Sequence, residues 1–159
     1  RRDDTTGIDP IEMLSLANSE LLELHVNKYA TMVVGCLDFE THQLHYSVAG
    51  HLPKPVLMTP GQSQYLAGEG MPVGLTPEAT YQLETIVLPE TFMLVLMSDG
   101  VLETIDEVDL IEREKTLLSR ISGSLEKPGD LIRRLSLGDV TSDDLTDDIA
   151  GLFISRGVG

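Results

Sequence analysis

The stretch from Ala30 to Ala49 reads ATMVVGCLDFETHQLHYSVA, and it decides the fold class. Its first part, Ala30 to Asp38, is apolar and rich in β-branched residues, which predicts a buried strand. Phe39-Glu40-Thr41-His42 is polar enough to turn. Gln43 to Ala49 then alternates with period two and returns along the first strand, so the segment is an antiparallel hairpin. On this reading the single cysteine, Cys36, is a core residue in mid-strand.

Working outward, Asp9-Pro10-Ile11-Glu12 opens a helix. Asp9 caps it, Pro10 suits its first position, and Glu12 is spaced to return a bond to the cap. Met13, Ala17, Leu21 and Leu24, with Leu14 beside them, form an amphipathic face predicting a helix to about Asn27. Beyond the hairpin come the loop Gly50-His51-Leu52-Pro53 and short strands at Pro55–Met58 and Gln64–Ala67, the second entered through Pro60-Gly61-Gln62-Ser63. A loop of Gly68, Gly70, Pro72 and Gly74 follows. Tyr81–Leu88 and Phe92–Met97 read as strands. Asp109–Ile121 and Pro128–Leu137 read as helices. In the first of these, Leu110, Leu117 and Ile121 share a face. Ile149–Ser155 is a final, buried strand. Strands joined by tight turns pair antiparallel, so the class is α+β, and 159 residues make one domain spanning 1–159.

The chain has 42% hydrophobic and 23% charged residues, as a folded globular protein does. Its formal net charge is −15, from 26 acidic and 11 basic residues. Such a surface repels phosphate backbones and anionic lipid, which argues against nucleic acid and membrane partners and favours a cation. One cysteine permits no internal disulfide and no cysteine zinc cluster, as expected of a reducing, cytoplasmic compartment. No apolar run approaches the ~20 residues of a membrane helix. The first residue is Arg, not Met, which predicts that the chain is a piece of a longer protein.

Acidic residues cluster twice, at Asp99 after FMLVLMS and at Asp143, Asp144, Asp147 and Asp148 before the last strand. If these two strands pair antiparallel, Asp99 and Asp147-Asp148 converge at one rim. Several ionised carboxylates at one place call for a cation between them, and Mg²⁺ or Mn²⁺ takes oxygen ligands with few carboxylates and water. By themselves, such residues more often form a solvated acidic loop and an Asp-Gly turn. His51 reads as a loop-shaping residue, His42 and His45 as surface or edge residues, and His25 as a cation near a helix end. Gly68, Gly70 and Gly74 do not have the spacing of a dinucleotide fingerprint. No phosphate-binding P-loop or nucleophile-elbow serine is present.

Four segments together, YATMVVGCLDFETHQLHYSVAGHLPKPVLM (29–58), GMPVGL (70–75), LVLMSDGVLE (94–103) and LTDDIAGLFIS (145–155), resemble the bacterial PP2C-like phosphatases of the SpoIIE/RsbU kind. Order and spacing match from about Asp9 to Arg156. The resemblance implies an α-β-β-α sandwich of antiparallel sheets flanked by helices, and a binuclear Mn²⁺/Mg²⁺ site. In that site Asp99 of Ser98-Asp99-Gly100 and Asp147 of the terminal Asp-Asp-Ile element are metal ligands. It implies hydrolysis of phosphoserine or phosphothreonine by metal-bound water, with no other catalytic residue. It also implies a phosphorylated anti-sigma factor antagonist as substrate in a stress-response signalling pathway, and an upstream receiver domain of the response-regulator type. The family's earlier elements, a Gly-Asp and an Asp-x-Ser-Gly-His-Gly, are absent, so the domain is expected to be truncated at its amino end with about half a metal site. Ala150 stands where the family usually has Thr. A catalytically degenerate adaptor that binds a sigma-factor pathway protein is the alternative.

Overall fold

The structure, a computed structural model, describes residues 8–123, 125, 127–135 and 148–158. It contains two compact units, one formed by the chain up to His51 with Ala67–Leu88, the other by Leu52–Leu66 with the chain from Pro89 onward. Each unit is built on one antiparallel sheet carrying helices. The expected α+β class is therefore found.

In the first unit, helix α1 (Pro10–Glu23) precedes strands β1 (Met32–Leu37), β2 (Gln43–Ala49) and β5 (Glu84–Val87), ordered β1-β2-β5 in the sheet. The β1–β2 hairpin is the one the sequence predicts, with Met32 opposite Ala49 and Leu37 opposite Leu44. Its turn is held by Asp38, whose Oδ1 accepts from the backbone N–H groups of Glu40 (2.7 Å) and Thr41 (3.1 Å), and by His42 at φ 57°. β1 is half-buried rather than buried, because it is an edge strand. Cys36 is half-buried with it and is not a core residue.

Asp9 caps α1 as expected, its Oδ1 accepting from the N–H groups of Ile11 (2.8 Å) and Glu12 (3.4 Å). The helix stops at Glu23 and not near Asn27. His25 and Asn27 take left-handed conformations (φ 51° and 50°), and His25 Nδ1 donates to the Glu23 carbonyl. The inward stripe is Pro10, Leu14 and Asn18. Met13 and Leu24, predicted on the inner face, are exposed. Leu14 packs with Ala49, Val73 and Tyr81 in this unit's core.

The second unit holds β3 (Val56–Thr59), β4 (Gln62–Tyr65), β6 (Phe92–Met97), α2 (Gly100–Glu103), α3 (Leu110–Ile121), α4 (Pro128–Arg134) and β7 (Gly151–Arg156), with sheet order β4-β3-β6-β7. β4 begins earlier than predicted, because Pro60 and Gly61 (φ 82°) close a tight turn that pairs Thr59 with Gln62. The core is Val56, Met58, Met93 and Val95 of the sheet against Val101, Ile105, Leu117, Ile121 and Leu131 of the helical segments. Asp109 caps α3 through Ile111 and Glu112. Arg134 closes its far end, donating to the carbonyls of Ile121 (2.7 Å) and Ser122 (3.1 Å). Leu110, predicted on the inner face of α3, is exposed. β7 also departs from expectation. It is an exposed edge strand with Leu152 56% exposed, since β6 is its only sheet neighbour among the described residues.

Candidate metal rim at the ends of β6 and β7

The apolar run of β6 ends at Met97, directly opposite Gly151, the first residue of β7. The pairing on which convergence of the acidic residues depends is therefore present. Ser98 carries the contact one step beyond the ladder. Its N–H donates to the Ala150 carbonyl (2.9 Å). Its Oγ accepts from the Ala150 N–H (2.8 Å) and donates to the Asp148 carbonyl (3.0 Å). Three hydrogen bonds thus fasten the approach to β7 onto the residue that precedes Asp99.

Asp99 occupies the N-cap position of α2, with helical backbone angles (φ −62°, ψ −24°) and no side-chain capping bond. An Asp at this position usually accepts from the first turn; here the carboxylate is exposed and not spent on its own helix. Gly100 is buried as the first residue of α2, not part of a free turn as the sequence suggested. Asp148 is exposed on the other side of the Ser98 contact. Asp147, with Asp143 and Asp144, lies outside the described residues. Among the described residues no three His, Cys, Asp or Glu side chains cluster closely enough to hold a metal ion. What this rim offers is carboxylate oxygen, the donor that Mg²⁺ and Mn²⁺ prefer. The donor chemistry fits such an ion, with Asp99 the described side chain free of local duties.

The glycine loops that contribute to the family resemblance meet in the first unit. Gly50 (φ 66°) lies against the Pro72 ring, where a Cβ would come within 2.6 Å of Cγ. A Cβ on Gly70 would collide with the Val48 carbonyl oxygen. Val73 and Ala30 exchange backbone hydrogen bonds of 2.9 and 3.0 Å. Asn18 of α1 completes the clamp: its Oδ1 accepts from Gly74 N–H (2.7 Å) and its Nδ2 donates to the Thr76 carbonyl (3.1 Å). Sequence reasoning passed over Asn18. The available signal was an amide in line with Leu14 and Leu21, where burial demands partners. His51 is half-buried within its loop. His45 Nδ1 meets Thr85 Oγ1 at 2.9 Å; His45 lies on the central strand β2, between β1 and β5, and is half-buried rather than at a sheet edge.

The family model for stage II sporulation protein E, SpoIIE, matches residues 3–157. The chain belongs to the SpoIIE family. Within that family it is 31% identical over 111 residues to the phosphoserine phosphatase RsbU of Bacillus subtilis, covering 68% of this chain and 33% of RsbU. It is 26% identical over 132 residues to the protein IcfG of Synechocystis, covering 80% of this chain and 21% of IcfG. The chain thus spans a third or less of these relatives. The phosphatase domain of SpoIIE from Bacillus subtilis, solved from Mn-presoaked material, superposes with a TM-score of 0.67 at 18% identity, covering 96% of this chain and 67% of that one. The likeness at that identity is one of fold.

Proposed function

We propose that the protein containing this chain is a metal-dependent phosphatase acting on phosphoserine or phosphothreonine in a regulatory phosphoprotein. The observation that carries this reading is the Ser98 contact, which holds the Asp148 backbone beside the Ser98-Asp99-Gly100 element of a SpoIIE-family chain. RsbU, a phosphoserine phosphatase by name, supports the phosphoserine part of this reading. In this reading Asp99 and Asp147 hold Mn²⁺ or Mg²⁺, one ion of a binuclear pair in the complete domain. Such an ion supplies a Lewis acid for phosphate oxygens and an acidified water.

The chain's own contribution is placement. Asp99 makes no capping bond and is exposed, so its carboxylate is available for an ion. Ser98 binds the backbone of both Asp148 and Ala150, which holds Asp148 close to the residue that precedes Asp99. One family model runs through both compact units, which supports reading 1–159 as one phosphatase domain.

The substrate we infer is a phosphorylated anti-sigma factor antagonist in a cytoplasmic stress-response pathway, with control by an upstream receiver domain. No helix among the described residues is long and apolar enough to cross a membrane.

Ala150 favours a second reading, an adaptor of the same fold without turnover. It offers only backbone to Ser98 where the family's Thr would add a hydroxyl. The deciding experiment measures phosphopeptide hydrolysis with and without Mn²⁺ by the protein extended upstream, beside its Asp99→Asn variant. Mn²⁺-dependent turnover that Asp99→Asn abolishes is the expected result. A well-folded extended protein without turnover would transfer the assignment to the adaptor.

A further inference from the structure

A groove of about 690 Å³ opens in the first unit, between the start of α1 and the β1–β2 hairpin. Its apolar residues Ile8, Phe39 and Leu83 are exposed, Phe39 by 79%. Neighbouring apolar side chains left in water are the mark of a surface that another molecule covers. The turn that carries Phe39 is closed by the Asp38 carboxylate, which accepts from the two backbone N–H groups that follow Phe39. The same groove is lined by three carboxylates, Asp9, Asp38 and Glu40. Among the described residues His45 is the one basic side chain that lines it, no Lys or Arg does, and Lys28 is the one Lys or Arg among the described residues of this unit.

We propose that this groove docks a basic amphipathic segment of a partner polypeptide. Its apolar side chains would seat on Ile8, Phe39 and Leu83, and its Lys or Arg residues would face Asp9, Asp38 and Glu40. Charge selects this occupant. A second copy would bring another −15 of like charge to the interface. Nucleic acid and anionic lipid would meet three carboxylates at the contact. A neutral apolar segment would bury or crowd those carboxylates without pairing them, which costs free energy. The surface lies in a different unit from the rim at β6 and β7, and the inference does not depend on the phosphatase reading.

The test uses the whole chain and a fluorescein-labelled helical peptide of leucine and lysine, with a leucine and glutamate peptide as the charge-reversed control. Saturable binding of the lysine peptide is expected by anisotropy. Phe39→Asp should weaken it about tenfold or more, as loss of an aromatic anchor does. Asp38→Asn, which keeps the turn's acceptor oxygen, should weaken it a few fold. Val108→Ser, at a fully exposed position outside the groove, should leave it unchanged, and circular dichroism should show all variants folded. Failure of the lysine peptide to bind would overturn the proposal. So would equal binding to the Phe39→Asp variant, which would mark attraction to the acidic surface at large, or equal binding of the glutamate peptide. A concentration-dependent dimer that Phe39→Asp dissolves would also overturn it and assign the face to a second copy.

Discussion

Ser98 and Ala150 hold each other twice, through Ser98 N–H to the Ala150 carbonyl at 2.9 Å and through Ala150 N–H to Ser98 Oγ at 2.8 Å. The first bond extends the β6–β7 ladder past Met97 and Gly151. The second frees the Ser98 hydroxyl hydrogen to reach the Asp148 carbonyl. One side chain therefore couples the end of β6, where Asp99 sits, to the acidic approach to β7.

Ser98→Ala removes two of these three bonds. A loss of about 1 kcal/mol of stability is expected for the hydroxyl's hydrogen bonds, measured by urea unfolding. Amide exchange at Ala150 should quicken more than exchange in the middle of β6. In the extended protein, Mn²⁺ affinity should fall while Asp99 is intact, separating placement of the ligands from the ligands themselves.

Asp147→Asn should abolish Mn²⁺-dependent hydrolysis in the extended protein as completely as Asp99→Asn. Asp143→Asn should leave it within about twofold, as expected of a solvated charge. Equal sensitivity at both positions would show that bulk acidity, not a particular ligand, is what matters.

Asn18→Leu strips the Gly74 N–H and the Thr76 carbonyl of their partner. The cost expected for leaving such groups unsatisfied is about 1–3 kcal/mol. Asn18→Asp retains an acceptor for Gly74 N–H and should recover part of that loss near neutral pH. Chemical denaturation of the two variants side by side checks this.

Gly70→Ala should destabilise by more than about 1 kcal/mol, because the added methyl meets backbone, the Val48 carbonyl, and not a side chain that could turn away. Gly61→Ala is a useful contrast: its Cβ would meet nothing within 4 Å, and its cost comes from φ 82° alone. Thermal unfolding should report a loss for both, with loosening of the β2 end for Gly70→Ala only.

Burial, reinforced by the nearby Glu84 carboxylate, pushes the Tyr46 phenol up to about 12 from its ordinary 10.0. Its hydroxyl also donates to the Ala67 carbonyl at 3.0 Å. The folded state therefore keeps a proton that the unfolded chain gives up first. The contribution is complete below pH 10 and is lost as pH rises toward 12. Urea midpoints should fall across that interval, and less steeply in Tyr46→Phe, which has no phenol to ionise.

Local chemistry was readable without coordinates. Asp9 caps its helix because a carboxylate two or three residues ahead of free N–H groups needs no distant partner; Asp109, read as the first residue of its helix, turns out to cap it in the same way. The hairpin at Asp38 and the strands Gln43–Ala49 and Phe92–Met97 follow from alternation, apolar runs and turn residues. The acidic rim was foreseeable to the extent that β6 and β7 pair.

Burial was not readable, because it belongs to neighbours. The run Ile149 to Ile154 looks like a core strand, yet β7 lies at a sheet edge with Leu152 exposed. Met13 looks like a core residue, yet Asn18 takes an inward place because Gly74 and Thr76 supply the partners a buried amide requires. Residue order by itself determined the type and order of the helices and strands, through contacts within a few positions, while the bounds of β4 and β7 were set by pairing with β3 and β6. Only the tertiary structure decided which faces are covered and which hydroxyl joins two distant acidic segments. Those outcomes depend on groups some fifty positions apart, such as Ser98 and Ala150 or Asn18 and Gly74, which no local pattern encodes.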